Sequence, residues 1–251
     1  MIDTHCHLTD KKFTPDREDV ILRAREAGVE KMVCILTEFA DEDIALFNEL
    51  KARDGIYGAA GCHPHDAENY ADIRGVLPGI LENEKIVALG EIGLDYYYEN
   101  SPREIQIRVF REQMMLAKEK NLPVIIHCRE AFDDCADVLR NFPEIKILIH
   151  CFSGTARELE IWLKRGYFVS FAGQLTFKNA GALRETAAKM PLDRLLLETD
   201  SPYLAPHPMR GKRNEPAFVK HTYDTASGIM GFTPEELSKA VDKNVSAFFG
   251  I

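Results

Sequence analysis

The feature that most constrains the fold of this chain is an alternation that runs from end to end. Short runs rich in β-branched and aliphatic residues are separated by longer runs with helical, amphipathic spacing. The predicted strands are Met1–Thr4, Lys31–Leu36, Ile56–Gly61, Ile86–Glu91, Val124–His127, Lys146–His150, Tyr167–Ser170 and Arg194–Glu198. Their starts lie about 28 residues apart, enough for a strand, a turn and a helix that returns to begin the next strand. Eight such units predict a (β/α)8 TIM barrel, an α/β fold. A doubly wound sheet of eight strands is the alternative topology.

Helix starts support the alternation. Thr14-Pro15 and Ser101-Pro102-Arg103-Glu104 read as an N-cap followed by proline in the first turn, and the second completes a capping box. Thr233-Pro234-Glu235-Glu236 repeats the box, with Leu237, Ala240, Val241, Val245 and Phe248 following at helical spacing. That predicts an extra C-terminal helix packed on the outside. No linker or low-complexity tract interrupts the 251 residues, and 45% of them are apolar, so one domain over 1–251 is expected. The longest irregular stretch, Pro202–Pro216, follows the last strand, and a loop of that length in a compact domain usually has a function.

Charge and cysteines exclude several classes. The 31 basic and 40 acidic residues leave a formal net charge of −9. A protein that coats duplex DNA needs a broad basic face, so that role is disfavoured, whereas a strand end remains open because bound cations reverse the sign locally. No apolar run is long enough to cross a membrane, and the N-terminus lacks the basic-then-apolar pattern of a leader. The six cysteines form no CxxC pair, and four of them (Cys6, Cys62, Cys128 and Cys151) adjoin a histidine. A cytoplasmic location is expected, and no obligate protein partner is indicated.

The strand ends carry the chemistry. The first leads into His5-Cys6-His7, the fourth ends in Glu91, the fifth in His127 and the sixth in His150, and the eighth leads to Asp200. In a barrel these ends converge on one mouth. Alternation along a strand turns His5 and His7 the same way and Cys6 the other. A lone histidine at a strand end is usually just a hydrogen-bonded polar residue, but six metal-binding side chains at one mouth indicate a metal site. Four imidazoles and two carboxylates exceed what one catalytic ion takes from a protein, so two divalent ions are expected. Glu91 is the natural bridge, with His5, His7 and Asp200 on one ion and His127 and His150 on the other. Imidazole-rich ligation suits Zn, Mn, Fe or Ni, and Mg is tolerated by the carboxylates. Asp3 and Glu198 share the inward parity of these strands and are expected to accept the outward N–H of ligand histidines.

The ordered set Asp3-Thr4-His5-Cys6-His7, Gly61-Cys62-His63-Pro64-His65, Gly90-Glu91-Ile92-Gly93-Leu94-Asp95-Tyr96, His127-Cys128-Arg129, His150-Cys151-Phe152-Ser153-Gly154 and Glu198-Thr199-Asp200-Ser201-Pro202 resembles the TatD-like deoxyribonucleases. These are metal-dependent hydrolases related to amidohydrolases, and the resemblance spans essentially the whole chain. It implies a TIM barrel, a divalent-metal centre on His5, His7, Glu91, His127, His150 and Asp200, and hydrolysis of DNA phosphodiester bonds. Members are described as 3′→5′ exonucleases on single strands, dependent on Mg or Mn. Many binuclear amidohydrolases carry a carboxylated lysine on the fourth strand. Glu91 stands there instead, which points away from cyclic-amide hydrolysis.

The remaining mouth residues suit a phosphate substrate. His63 ends the third strand and is read as a contact to the substrate phosphate or leaving group, with His65 beside it. Arg129 shares the side of His127 and can meet a phosphate oxygen; a salt bridge to a neighbouring acid is the plainer alternative. Arg210, Lys212 and Arg213 form the one dense basic cluster, on the loop after the last strand, and are expected to capture phosphate. Tyr203 and the Tyr96-Tyr97-Tyr98 run can stack on bases or simply pack on the rim. The expected reaction is hydrolysis by a water activated by the two cations, with Glu91, Asp200 and His63 as the catalytic groups. The alternative is a metal-dependent esterase acting on aminoacyl-tRNA or a small phosphoester.

Overall fold

The computed structural model describes residues 1–251, and its strands form one parallel sheet in the order β1 to β8. Chain order is β1 (Ile2–Cys6), α1 (Arg17–Glu26), β2 (Lys31–Leu36), α2 (Asp41–Lys51), β3 (Ile56–Ala60), the short α3 (Tyr70–Arg74) and α4 (Leu77–Ile80), and β4 (Ile86–Asp95). It continues through α5 (Arg103–Lys120), β5 (Val124–Arg129), α6 (Phe132–Leu139), β6 (Ile147–Ile149), α7 (Ala156–Lys164), β7 (Phe168–Phe171), α8 (Gly181–Ala187), β8 (Leu195–Leu197), α9 (Val219–Met230) and α10 (Pro234–Phe249). This is the (β/α)8 barrel rather than the open sheet.

The seam closes just beyond β8. Cys6 bridges Ser201 in parallel, the Asp200 N–H donates to the His5 carbonyl (2.9 Å), and the His7 N–H donates to the Ser201 carbonyl (2.8 Å). Strands such as β1, β4 and β8 are buried along their whole length, as expected when side chains fill the barrel on one face and helices cover the other.

The extra helix is α10. Thr233 caps it with a complete capping box to Glu236, and Leu237, Val241, Val245 and Phe248 are buried beneath it. Asn244 on this helix donates to the carbonyls of Leu192 (2.7 Å) and Leu195 (2.8 Å), which fixes it against the start of β8. No helix is long and apolar enough to cross a membrane.

Two other helix starts differ from expectation. Asp16, not Thr14, precedes α1, and Pro102 stands at the N-cap of α5. The Ser101 hydroxyl accepts the Glu68 N–H (3.2 Å) and donates to the His65 carbonyl (2.9 Å), so it anchors the turn that carries His63 and His65. The fourth strand also runs four residues past its expected end, to Asp95. Glu91 therefore lies within β4 rather than at its tip.

Candidate metal centre

Glu91 owes its position to an irregularity in β4. Leu89 pairs with Val124 and Ile92 with Ile126, so β4 spends three residues where β5 spends two. Such a bulge re-aims the side chain within it. The flanking glycines permit the close approach. Gly93 has φ 141°, and a Cβ there would meet the His127 carbonyl oxygen at 2.0 Å. The sequence G-E-I-G thus brings the Glu91 carboxylate beneath the ends of β5 and β6.

Two sets of groups face its two oxygens. Oε2 lies 3.3 Å from His5 Nε2 and 3.8 Å from His7 Nε2. Asp200 completes that side, with Oδ1 at 3.4 Å from His7 Nε2 and 3.7 Å from His5 Nε2. Oε1 lies 2.6 Å from both His127 Nδ1 and His150 Nε2, and 3.5 Å from His63 Nε2. All six expected metal-binding side chains are brought together, and His63 joins the second set.

The donor chemistry fits cations. His150 turns Nδ1 to Glu198 (3.1 Å), and His127 turns Nε2 to Asp95 (2.9 Å). When these carboxylates hold the outward N–H, each neutral imidazole points a lone pair at an oxygen of Glu91. Only a proton or a cation between them makes a 2.6 Å approach favourable. The titration behaviour agrees. Burial opposes protonation of His127, yet Asp95 and Glu91 lift it to about 9. Burial also opposes protonation of His150, which Glu91 and Glu198 lift well above the usual imidazole value. Glu91 is itself buried, but His150, His63 and His127 hold it well below the usual carboxylate range. His63 goes the other way: burial pulls it down to about 4, so it is neutral near pH 7.

Of the two supporting acids, Glu198 has the expected contact, and its second oxygen accepts from the Ser170 hydroxyl (2.6 Å). Asp3 does not. Its carboxylate accepts the Thr199 N–H (2.8 Å) and hydroxyl (2.6 Å) across the seam, which leaves His5 Nδ1 buried without a partner. Parity placed Asp3 inside the barrel, but the nearer donors on the β8 side claimed it. The acid passed over in the sequence is Asp95. It shares the parity of Glu91, a signal that shows only once β4 extends to Asp95.

The rim residues are distributed unevenly. His65 Nε2 lies 3.0 Å from Asp95 Oδ2. Arg129 makes no salt bridge; its guanidinium lies over the rings of Tyr97 (4.1 Å) and Tyr98 (4.7 Å), both about half exposed. Tyr96 is turned aside, its hydroxyl donating to Asp134 (2.6 Å). Tyr203 edges the His7 ring at 6.0 Å while its hydroxyl donates to Asp10 (2.9 Å). The basic cluster is partly tied down. Arg213 is paired through both nitrogens with Asp16 (2.7 and 2.8 Å), and Arg210 packs over Phe177 (3.9 Å) and donates to the Ala205 carbonyl. Arg210 and Lys212 are both exposed and make no ion pair. Of the three expected phosphate contacts, Arg213 is the one already held by a carboxylate.

Imidazoles and carboxylates gathered at the C-terminal mouth of a parallel barrel define a metal-dependent hydrolase. The family model described as TatD related DNase matches residues 2–250, and the chain belongs to that family. It is 40% identical to the uncharacterized metal-dependent hydrolase YabD of Bacillus subtilis (strain 168), covering 100% of this chain and 99% of that protein. It is 39% identical to the 3′-5′ ssDNA/RNA exonuclease TatD of Pantoea ananatis (strain LMG 20103), over the whole of both. The crystal structure of YjjV, a TatD homologue from Escherichia coli K12, superposes with a TM-score of 0.92 at 33% identity, covering 100% of this chain and 98% of that one.

Proposed function

We propose that this protein removes nucleotides from the 3′ end of single-stranded nucleic acid, DNA foremost, using two divalent cations. One would be held by His5, His7, Asp200 and Glu91, the other by Glu91, His127 and His150. The observation that carries this reading is the division of the mouth into two donor sets, one on each oxygen of Glu91. Cations there would acidify water toward neutrality and offset the charge that develops on phosphorus oxygens.

The chain's own groups supply the rest. Asp200, held below the usual carboxylate range by His7 and His5 against the effect of burial, is ionised and can take the proton of the attacking water. His63 Nδ1 accepts the His65 N–H (3.2 Å), so in its neutral form Nε2 carries the hydrogen. That N–H points into the mouth toward Glu91 and can donate to a phosphoryl or leaving oxygen. The exposed Tyr97 and Tyr98 rings, backed by Arg129, offer a surface for an unpaired base. The names of the relatives support the same substrate class.

The test is a 5′-labelled single-stranded oligonucleotide incubated with Mn or Mg. Products shortened one residue at a time from the 3′ end, and lost on chelation, are expected. Faster cleavage of an aminoacyl ester than of the oligonucleotide overturns the nuclease reading in favour of an esterase.

A further inference from the structure

Asp95 has no part in the proposed ligand set, yet four N–H donors converge on it. Its carboxylate is fully buried, with an exposure of 0%. Oδ2 receives His127 Nε2 (2.9 Å) and His65 Nε2 (3.0 Å), and Oδ1 accepts the backbone N–H groups of Tyr97 and Tyr98 (3.0 Å each). Gln106, buried on α5, grips the residue from behind. Its Oε1 accepts the Asp95 N–H (2.8 Å), and its Nε2 donates to the Asp95 carbonyl (3.0 Å). A buried carboxylate with four donors and this backbone hook has little freedom to turn.

We infer that Asp95 is a positioning residue that selects which nitrogen of His127 faces the metal centre, and that ties this choice to the substrate-side rim. A carboxylate only accepts hydrogen bonds, so the neutral His127 ring must present N–H at Nε2 and its lone pair at Nδ1. His5, His7 and His150 all turn Nε2 toward the centre, whereas His127 turns Nδ1. The buried acid behind His127 accounts for that difference. The same oxygen holds His65, and the opposite oxygen holds the turn that carries the Tyr97 and Tyr98 rings against Arg129. One side chain therefore sets both a wall of the cation site and the rim above it. The inference rests on the proposed placement of a cation between Glu91 and His127.

Asp95→Asn tests it with almost no change in shape. An amide offers one acceptor oxygen where four donors need two, so either orientation turns its NH₂ against a pair of N–H groups. The full-length protein, stripped of metal, would be titrated with cobalt against a chromophoric chelator. The unsubstituted protein is expected to take up two equivalents. In the asparagine variant one of the two should bind about 10- to 100-fold more weakly, the usual effect of losing a ligand's hydrogen-bond partner. The other should be unchanged, and excess metal should restore kcat, which it would not do for a misfolded barrel. His65→Ala, which removes a rim contact but no support of His127, should leave both affinities intact. If the asparagine variant does not fold, Gln106→Met loosens the hook instead and should weaken the same cation by a smaller factor. Unchanged affinity at both positions in a folded variant overturns the role of Asp95. Failure of the unsubstituted protein to bind cobalt overturns the metal reading beneath it.

Discussion

Asp3 and Thr199 lock the seam of the barrel: the carboxyl group on β1 accepts the backbone N–H of the residue that follows Glu198 at 2.8 Å and shares a hydrogen bond with its hydroxyl at 2.6 Å. Burial pushes this carboxyl up to about 8 from an ordinary 3.8, so the native protein holds a proton there at neutral pH. Between those values the native state binds a proton that the unfolded chain releases. The stability this supplies is complete below about pH 4 and is lost as the pH climbs through about 8.

Asp3→Asn removes that titration while keeping the shape, because its NH₂ can donate to the Thr199 hydroxyl. The variant should gain stability relative to the unsubstituted protein across that window, by roughly 1–3 kcal/mol, the cost of a poorly solvated polar group. Urea unfolding of the metal-free proteins at a series of pH values measures it. Parallel curves for the two proteins would show that Asp3 stays ionised in the fold.

Glu91 stands between the two donor sets, so Glu91→Gln should affect both cations at once. Hydrolysis of a single-stranded oligonucleotide should fall more than about 100-fold, since losing even a partner of a ligand can cost that much. The metal content of the purified variant should fall with it, while the far-ultraviolet circular dichroism stays that of the barrel. Full activity in this variant would falsify the bridging role.

Proton release offers an independent measure. In the metal-free protein His127 stays protonated up to about pH 9, and His150 is raised as well, because carboxylates outweigh the effect of burial. A cation must displace those protons. Affinity should therefore weaken steadily as the pH falls below about 9, and binding near neutrality should release protons to the buffer. Calorimetry in two buffers of different ionisation enthalpy reads the number released. A heat independent of the buffer would mean that the imidazoles were already free.

What was legible in the sequence follows from range. His5 and His7 declare themselves by parity on one short strand, and His127, His150 and Asp200 by standing where a buried apolar run ends. These are local signals, and a barrel needs nothing more to gather them. Asp95 was hidden because the bulge between Leu89 and Ile92 lets β4 continue past Glu91, and no spacing rule marks a bulge. The partners of Asp3, Ser101 and Arg213 were equally invisible. Each depends on which donor or acceptor from a distant segment lies nearest once the chain has closed: Thr199, Glu68 and Asp16 respectively.

Tyr98 separates binding of a nucleic-acid strand from the chemistry at phosphorus. Its ring is about half exposed, meets the His65 edge at 5.5 Å and is covered by the Arg129 guanidinium on the same rim. It touches none of the groups around Glu91. Base stacking on an aromatic ring contributes about 1–3 kcal/mol, which corresponds to roughly 5- to 150-fold in affinity. Tyr98→Ala should raise KM for a single-stranded oligonucleotide within that range and leave kcat nearly unchanged. The rate on bis(p-nitrophenyl) phosphate, which has no nucleobase, should stay at the unsubstituted level. Equal losses on both substrates would place the tyrosine in support of the catalytic groups, through the turn that Asp95 holds, rather than in contact with a base.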